Sequence, residues 1–76
     1  MTAKLPVVSG DDLVRVLRKF GYEIVRQKGS HVRLRNEGSA KRLPVTVPLH
    51  KELARGTLKS ILADAGLTVQ DILATL

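Results

Sequence analysis

The interval between apolar residues changes twice along this chain of 76 residues, and these changes restrict its fold more than any other feature. Apolar residues first recur every three or four positions, as on one face of a helix, and then every second position, as in half-buried strands. After residue 48 the helical interval returns. The positions with helical intervals are Leu13, Val16, Leu17, Phe20, Leu58, Ile61, Leu62, Ala65, Val69, Ile72, Leu73 and Leu76. The sequence therefore predicts the order helix, strands, helices.

Ser9 and Asp12 mark the start of the first helix. Their spacing lets the hydroxyl and the carboxylate bind free N–H groups at a helix start, and Asp11 also suits its positive end. Gly21 is expected to end this helix, since glycine is common just beyond the last helical residue.

Two strands are predicted over residues 22–27 and 31–35. The loop length decides which side chains share a face, because a slip of one residue moves all of them to the other face. A three-residue loop of residues 28–30 places four apolar side chains on one face: Tyr22, Ile24, Val32 and Leu34. A two-residue loop would put Ile24 beside the polar side chains of the second strand. We therefore favour the three-residue loop.

This loop has a consequence for the opposite face of the hairpin. His31, Arg33 and Arg35 then project together, and Gln27 lies across from His31. Gly29 supplies the turn, because glycine adopts a positive φ without steric cost.

A third strand is predicted over residues 42–47, after a loop at residues 36–40. Leu43, Val45 and Val47 alternate and are expected to face the core. Pro44 cannot donate a hydrogen bond to a neighbouring strand, which indicates an edge strand, and Pro48 ends it.

The remaining chain is predicted to form two helices after a basic connection over residues 49–56. Thr57 is the expected cap of the first, and Gly66 is expected to end it. Thr68 and Asp71 form a second capping pair in front of a short last helix.

The expected fold class is α+β. Its order is α-β-β-β-α, with a three-stranded antiparallel sheet, helices on one face and a short C-terminal helix. This is the element order of the double-stranded-RNA-binding domain, although a shared order alone is weak evidence for function. One domain over residues 1–76 is expected because the chain has room for only one core. The sheet face with His31 and Arg33 is left open to water or a partner.

The composition excludes several classes of protein. Without cysteine the chain has no disulfides and no thiolate zinc site. No stretch approaches the roughly 20 apolar residues of a membrane helix, so we expect a soluble cytoplasmic protein that does not enter a membrane. Thirteen Lys and Arg residues stand against seven Asp and Glu residues, a net charge of +6. Such a positive field attracts phosphate backbones, although it fits an acidic protein partner equally well.

His31 is the candidate for chemistry at this basic face. Transfer of an RNA phosphate to the neighbouring 2′-hydroxyl needs one proton removed and another delivered, and histidine performs both near neutral pH. Lys28, Arg33 or Arg35 could hold the phosphate and stabilise its added charge. On pattern alone, however, an exposed strand residue without chemistry is the simpler interpretation of His31. The same reasoning favours a loop residue or a substrate contact for His50 over catalysis.

Other kinds of site fit this sequence poorly. Ser30 and His31 are adjacent, so in an extended chain they point to opposite faces and make a poor nucleophile–base pair. Two histidines and scattered carboxylates do not supply a zinc ligand set, and no glycine-rich phosphate loop occurs. We therefore expect no cofactor and no metal.

Three runs of sequence resemble one known family. Residues 22–35 contain an aromatic residue after a helix-ending glycine and then Arg-Gln-Lys-Gly-Ser-His, which is similar to the core of the HicA (YcfA-like) toxins. Residues 45–50 and 56–67 resemble the second and third signatures of that family. The lead-in at residues 5–10 is also similar. The chain departs from a common pattern at one point, because His50 is followed directly by Lys51 and Glu52.

The resemblance implies a double-stranded-RNA-binding-domain-like fold and the activity of a ribosome-independent mRNA interferase. It implies that His31, in the Gly-Ser-His motif, is catalytic, and that a HicB-like antitoxin binds the toxin and blocks its site. Candidate substrate contacts are Lys28, Gly29, Ser30, Arg33, Arg35 and His50. Two alternatives remain open: a non-catalytic double-stranded RNA-binding module, and a protein-interaction domain whose basic face serves an acidic partner.

Overall fold

The computed structural model describes residues 4–76, and within them the predicted α+β architecture is confirmed. The predicted domain also includes residues 1–3, which lie outside the described residues. The elements in chain order are α1 (Gly10–Lys19), β1 (Glu23–Lys28), β2 (His31–Arg35), β3 (Val45–Pro48), α2 (Arg55–Ala65) and α3 (Val69–Thr75). Among these residues no helix is long and apolar enough to cross a membrane.

Helix α1 begins and ends as predicted. The backbone N–H of Asp12 donates to Oγ of Ser9 at 3.0 Å, and the N–H of Ser9 donates back to the Asp12 carboxylate. After Gly21 the N–H of Tyr22 donates to the carbonyl of Leu17, which turns the chain into the core. The Tyr22 ring is buried, and its hydroxyl donates to the carbonyl of Leu43 at 2.6 Å. Burial raises the pKa of this hydroxyl.

The three strands form an antiparallel sheet in the order β1-β2-β3, and its apolar face packs against the helices. The buried strand residues are Val32, Leu34, Val45 and Val47; the main helical residues that meet them in the core are Leu13, Leu17, Leu58, Ile61 and Ile72. The edge position predicted for the third strand from Pro44 is confirmed. The core therefore lies between the helices and the two strands β2 and β3.

The predicted three-residue hairpin loop is wrong. Lys28 pairs with His31, so the turn contains only Gly29 and Ser30. Ile24 nevertheless pairs with Leu34, as the longer loop required, because the register shifts between Ile24 and Arg26. A β-bulge inserts one extra residue into a strand. This bulge lets the hairpin combine a two-residue turn at one end with the pairing of Ile24 and Leu34 at the other.

Two residues predicted to face the core do not. Ile24 is 44% exposed and Leu43 is 51% exposed. Every residue of β1 is exposed, because β1 is the other edge of the sheet and the helices cover mainly β2 and β3. Leu43 precedes the first residue of β3, so the alternation of that strand does not govern it. Its N–H instead donates to the carbonyl of Asp64 at 2.8 Å.

The predicted cap of α2 at Thr57 is also wrong. The helix begins at Arg55, three residues earlier than a cap at Thr57 predicts, with Ala54 at its cap position and no side-chain cap. Leu53 is buried and its N–H donates to Val8, which fixes the chain ahead of Thr57. The second predicted capping pair is confirmed, since the N–H of Asp71 donates to Oγ1 of Thr68.

Gly10 lies where α1 touches the chain that follows β3. Its N–H donates to the carbonyl of His50 at 2.9 Å. A Cβ on Gly10 would overlap the carbonyl oxygen of Pro48 and lie 2.7 Å from Cα of Leu49. These neighbours are backbone atoms, so they cannot move aside by a change of rotamer. By contrast, a Cβ on Gly56 in α2 would meet nothing within 4 Å.

We therefore expect Gly10→Ala to lower the free energy of unfolding by about 2–3 kcal/mol, the usual cost of overpacking. Gly56→Ala should raise it by about 0.4–1 kcal/mol, because alanine has less freedom to lose from the unfolded chain. Urea denaturation followed by circular dichroism measures both values. Equal stability of the two variants would show that the contact at Gly10 is not tight.

Candidate functional site

The sheet face turned away from the helices carries most of the polar strand residues. Three rows of paired residues cross it: Lys28, His31 and Pro48 in the first, Arg26, Arg33 and Thr46 in the second, and Glu23 with Arg35 in the third. We call this surface the basic face. All of its members are exposed except Pro48, which is half-buried. The prediction that His31, Arg33 and Arg35 share the face away from the core is confirmed.

His31 is the first residue of β2 and follows the tight turn directly. Its side chain is exposed, and its imidazole forms no hydrogen bond with any other described residue. The residue across from it is Lys28, not Gln27 as the longer loop predicted. Gln27 pairs with Val32 and belongs to the other face. Directly paired residues have Cβ atoms about 4.5–5.5 Å apart, so an ammonium group lies within reach of any anion bound at His31.

The turn that presents His31 requires a glycine at its first position. Gly29 has φ +58°, whereas no other type of residue in the described chain has a positive φ. A positive φ at the first central residue alone is typical of a type II′ hairpin turn. A Cβ on Gly29 would meet nothing within 4 Å, so the backbone conformation, and not crowding, requires glycine here. The open space also leaves the backbone beside His31 accessible.

The second row contains two arginines at directly paired positions. Arg26 pairs with Arg33, and like charges in such positions repel each other. Nη1 of Arg33 donates to Oγ1 of Thr46 at 3.0 Å, which holds this side chain across β3. Among the described residues the one ion pair within 4.0 Å joins Arg15 to Asp12 on α1, so no carboxylate neutralises the arginine pair.

Arg35 is not brought close to His31. It lies four residues further along β2, which corresponds to about 13 Å of strand. Its partner across the sheet is Glu23, a residue of opposite charge. Its contribution to an anion site at His31 is therefore smaller than that of Arg33.

Ser30 and His50 are held at the end of the sheet where His31 lies. The N–H of Leu49 donates to the carbonyl of Ser30 at 2.6 Å, which extends the pairing of β2 with β3 by one step. His50 follows, with an exposed side chain and a carbonyl bonded to Gly10. The structure thus gathers the turn, His31 and the segment before His50 at one end of the molecule.

The sequence analysis did not find Arg26 and Thr46 of the basic face. The signal for Arg26 was present, since Arg26 and Lys28 alternate and would share a face with His31 across a two-residue turn. The predicted three-residue loop placed Arg26 on the core face, and it placed Lys28 in the loop itself, where Lys28 was still a candidate phosphate contact. Thr46 gave no signal, because its role depends on the reach of Arg33 across β3.

The arrangement offers proton transfer and charge stabilisation at one place. An exposed imidazole can accept or donate a proton near neutral pH, and the adjacent cations favour an anion in front of it. In residues 4–76 no group of three or more His, Cys, Asp or Glu side chains is arranged to hold a metal ion. The side chains of the basic face can themselves supply proton transfer and an electrostatic site for an anion.

One known protein family matches the chain. A family model described as the HicA toxin of bacterial toxin-antitoxin systems matches residues 10–67, which includes the turn, His31 and all three strands. No curated protein matches the chain. The match covers well over half of the sequence, from the start of α1 to the residue after Gly66. The chain therefore belongs to the HicA toxin family of bacterial toxin-antitoxin systems.

Proposed function

We propose that this toxin is an endoribonuclease of a type II toxin-antitoxin system, a ribosome-independent mRNA interferase that uses His31 as its catalytic residue. The observation that carries the proposal is the position of His31 at the open end of the hairpin, exposed and paired with Lys28. The unneutralised pair of Arg26 and Arg33 lies in the adjacent row. The proposed substrate, mRNA, places the activity in the cytoplasm.

The proposed reaction is attack of a ribose 2′-oxygen on the adjacent phosphorus. The bond from phosphorus to the 5′-oxygen breaks, which leaves a 2′,3′-cyclic phosphate and a 5′-hydroxyl. The 2′-oxygen loses one proton and the 5′-oxygen gains one. His31 serves one of these transfers, as base or as acid, and positioned groups of this kind contribute about 10²- to 10⁴-fold. Water takes part in the other transfer.

The cations beside His31 are proposed to hold the reacting phosphate. Lys28 is directly across from the imidazole, and Arg33 follows in the next row. Two oxygens of the phosphate carry extra charge in the transition state, and fixed cations stabilise it best where water is displaced. We also propose Gly29, Ser30 and His50 as substrate contacts, because their segments meet at His31. Arg35 is too distant for the same phosphate and would contact a neighbouring one.

A toxin of this family has an antitoxin partner. We propose that this partner is HicB-like and that it covers the basic face, which keeps RNA away from His31. The net charge of +6 supports an acidic surface on the antitoxin. A small HicB-like reading frame beside the gene would support the pairing.

One alternative has an observation in its favour. The element order α-β-β-β-α is also that of the double-stranded RNA-binding domain, so a non-catalytic RNA-binding module remains the second candidate. Such a module would bind RNA with a strong dependence on salt, and His31 would contribute little to that affinity.

Replacement of His31 separates the two functions. We expect His31→Ala to lower RNA cleavage by the purified protein by at least 10²-fold and to abolish growth arrest on induced expression. The side chain is exposed, so the unfolding free energy should change by less than about 0.5 kcal/mol. Cleavage is measured on a labelled RNA, and the fold by circular dichroism.

His50→Ala is the matched control, since it removes the other histidine of the described chain. It should retain cleavage within about tenfold of the native protein, the factor that corresponds to one lost polar contact. Native protein that leaves RNA intact in the absence of an antitoxin would refute the nuclease. Equal cleavage by native protein and His31→Ala would refute the role of His31.

The contribution of the arginine pair is measured by RNA binding in the His31→Ala background, where no cleavage interferes. We expect Arg26→Ala to weaken binding and to reduce the slope of log affinity against log salt by about 0.7–0.9, the value for one lost phosphate contact. Arg18→Ala removes the same charge from an exposed site on α1 and should leave the slope unchanged. An equal effect of both variants would mean that only net charge matters.

A further inference from the structure

A groove lies beside the basic face, between the outer edge of β3 and one side of α2. It is open to solvent, has a volume of about 440 Å³ and is lined by Arg33, Thr46, Gly56, Thr57, Ser60 and Asp64, together with Pro44, Val45 and Ile61. This volume falls within the range of small-molecule sites, about 300–1,000 Å³. Neither the proposed reaction at His31 nor the family match gives this groove a role.

Helical spacing explains why the α2 wall of the groove is polar. Thr57, Ser60 and Asp64 follow one another at intervals of three and four residues, so they lie on one side of the helix. The apolar residues on the adjacent side are buried in the core: Leu58, Ile61, Leu62 and Ala65. The groove side therefore presents two hydroxyls and one carboxylate.

These polar groups are not engaged by other parts of the described chain. No hydrogen bond or ion pair within it occupies the side chains of Thr57, Ser60 or Asp64. Arg33 lines the same groove, yet its bond goes to Thr46 and not to Asp64. The carboxylate is accordingly available to accept hydrogen bonds from a ligand.

Arg33 connects the groove to the proposed catalytic end. It lies two residues from His31 on the same face of β2, which corresponds to about 7 Å of strand. An RNA chain whose reacting phosphate is at His31 would thus bring a flanking nucleotide to the mouth of the groove.

We propose, on the basis of the proposed function, that this groove binds the base of a nucleotide next to the cleaved bond and that Asp64 determines which base is accepted. A carboxylate accepts from the exocyclic amino group of a base, as in its contacts with cytosine. Adenine, cytosine and guanine carry such a group. Uracil carries no amino group, and its one ring N–H donor lies between two carbonyl oxygens that the carboxylate repels, so uracil is disfavoured. The groove has no aromatic lining, and recognition therefore uses base edges and not stacking.

The test is the base composition around the cut sites in a random-sequence RNA treated with purified protein. We expect the native protein to disfavour uracil roughly tenfold at one position beside the cut, and Asp64→Asn to remove this preference. The asparagine amide offers both a donor and an acceptor, so it tolerates every base. Asp11→Asn removes the same charge from an exposed site on α1 and should leave the preference unchanged.

A second variant tests the groove by size. A Cβ on Gly56 would meet nothing within 4 Å and the residue has no positive φ, so Gly56→Leu narrows the groove without strain. It should reduce cleavage of long RNA while retaining the native fold. A native cut-site profile for both Asp64→Asn and Gly56→Leu would overturn the proposal, although His31 would remain the nuclease residue.

Binding measurements keep this proposal separate from the nuclease itself. His31→Ala protein is titrated with four short RNAs that differ only in the base beside the central phosphate, with fluorescence anisotropy as the readout. Weaker binding of the uracil RNA, abolished by Asp64→Asn, would support the base site even if the native protein cut no RNA. Equal affinity for all four RNAs would refute it.

Discussion

The pairing of Lys28 with His31 across the two-residue turn decides what the open side of the sheet can do. Strand residues alternate between faces, so this one pairing assigns every other side chain near the turn. It brings Arg26 opposite Arg33 and removes Gln27 to the other side. If the loop had three residues, His31 would pair with Gln27, and its imidazole would face an amide in place of a cation. The proposed anion site exists only in the register observed.

The bulge between Ile24 and Arg26 reconciles this register with the rest of the hairpin. Beyond the bulge Ile24 pairs with Leu34, so the two ends of β1 follow registers that differ by one residue. The extra residue disrupts the hydrogen-bond pairing of β1, whose side chains are all exposed. Since β1 is an edge strand with little share in the core, it tolerates the disruption better than β2 would.

Most of the helical structure follows from local signals in the sequence. Two helices begin at the predicted capping pairs, at Ser9 and Thr68, and two end at the predicted glycines, Gly21 and Gly66. Each of these four signals depends on residues within a few positions of it. The start of α2 does not follow, because the burial of Leu53 fixes it from outside the helix. Local rules therefore succeed where local bonds decide the structure.

The sheet was harder to predict because its faces depend on the turn and on the layer above it. Alternation of apolar residues predicted the burial of Val32, Leu34, Val45 and Val47 correctly. The same rule failed for Ile24, because β1 is an edge strand that the helices leave uncovered. It failed for Leu43 because this residue precedes β3 and is held by a backbone hydrogen bond to Asp64 of α2. At the candidate site it found the cations of β2 but missed Arg26 on the neighbouring strand. The wrong loop length thus caused Arg26 to be left out of the predicted site.

The unneutralised cations of the basic face have a thermodynamic consequence. Repulsion between Arg26 and Arg33 raises the free energy of the folded chain, and no carboxylate among the described residues offsets it. A polyanion that binds this face more tightly than it binds the unfolded chain stabilises the fold, so its binding and the stability of the fold are linked. RNA and an acidic antitoxin surface would both gain from this relief. Under the proposed function both would bind this face, so they would compete for one electrostatic site without any separate conformational change in the toxin.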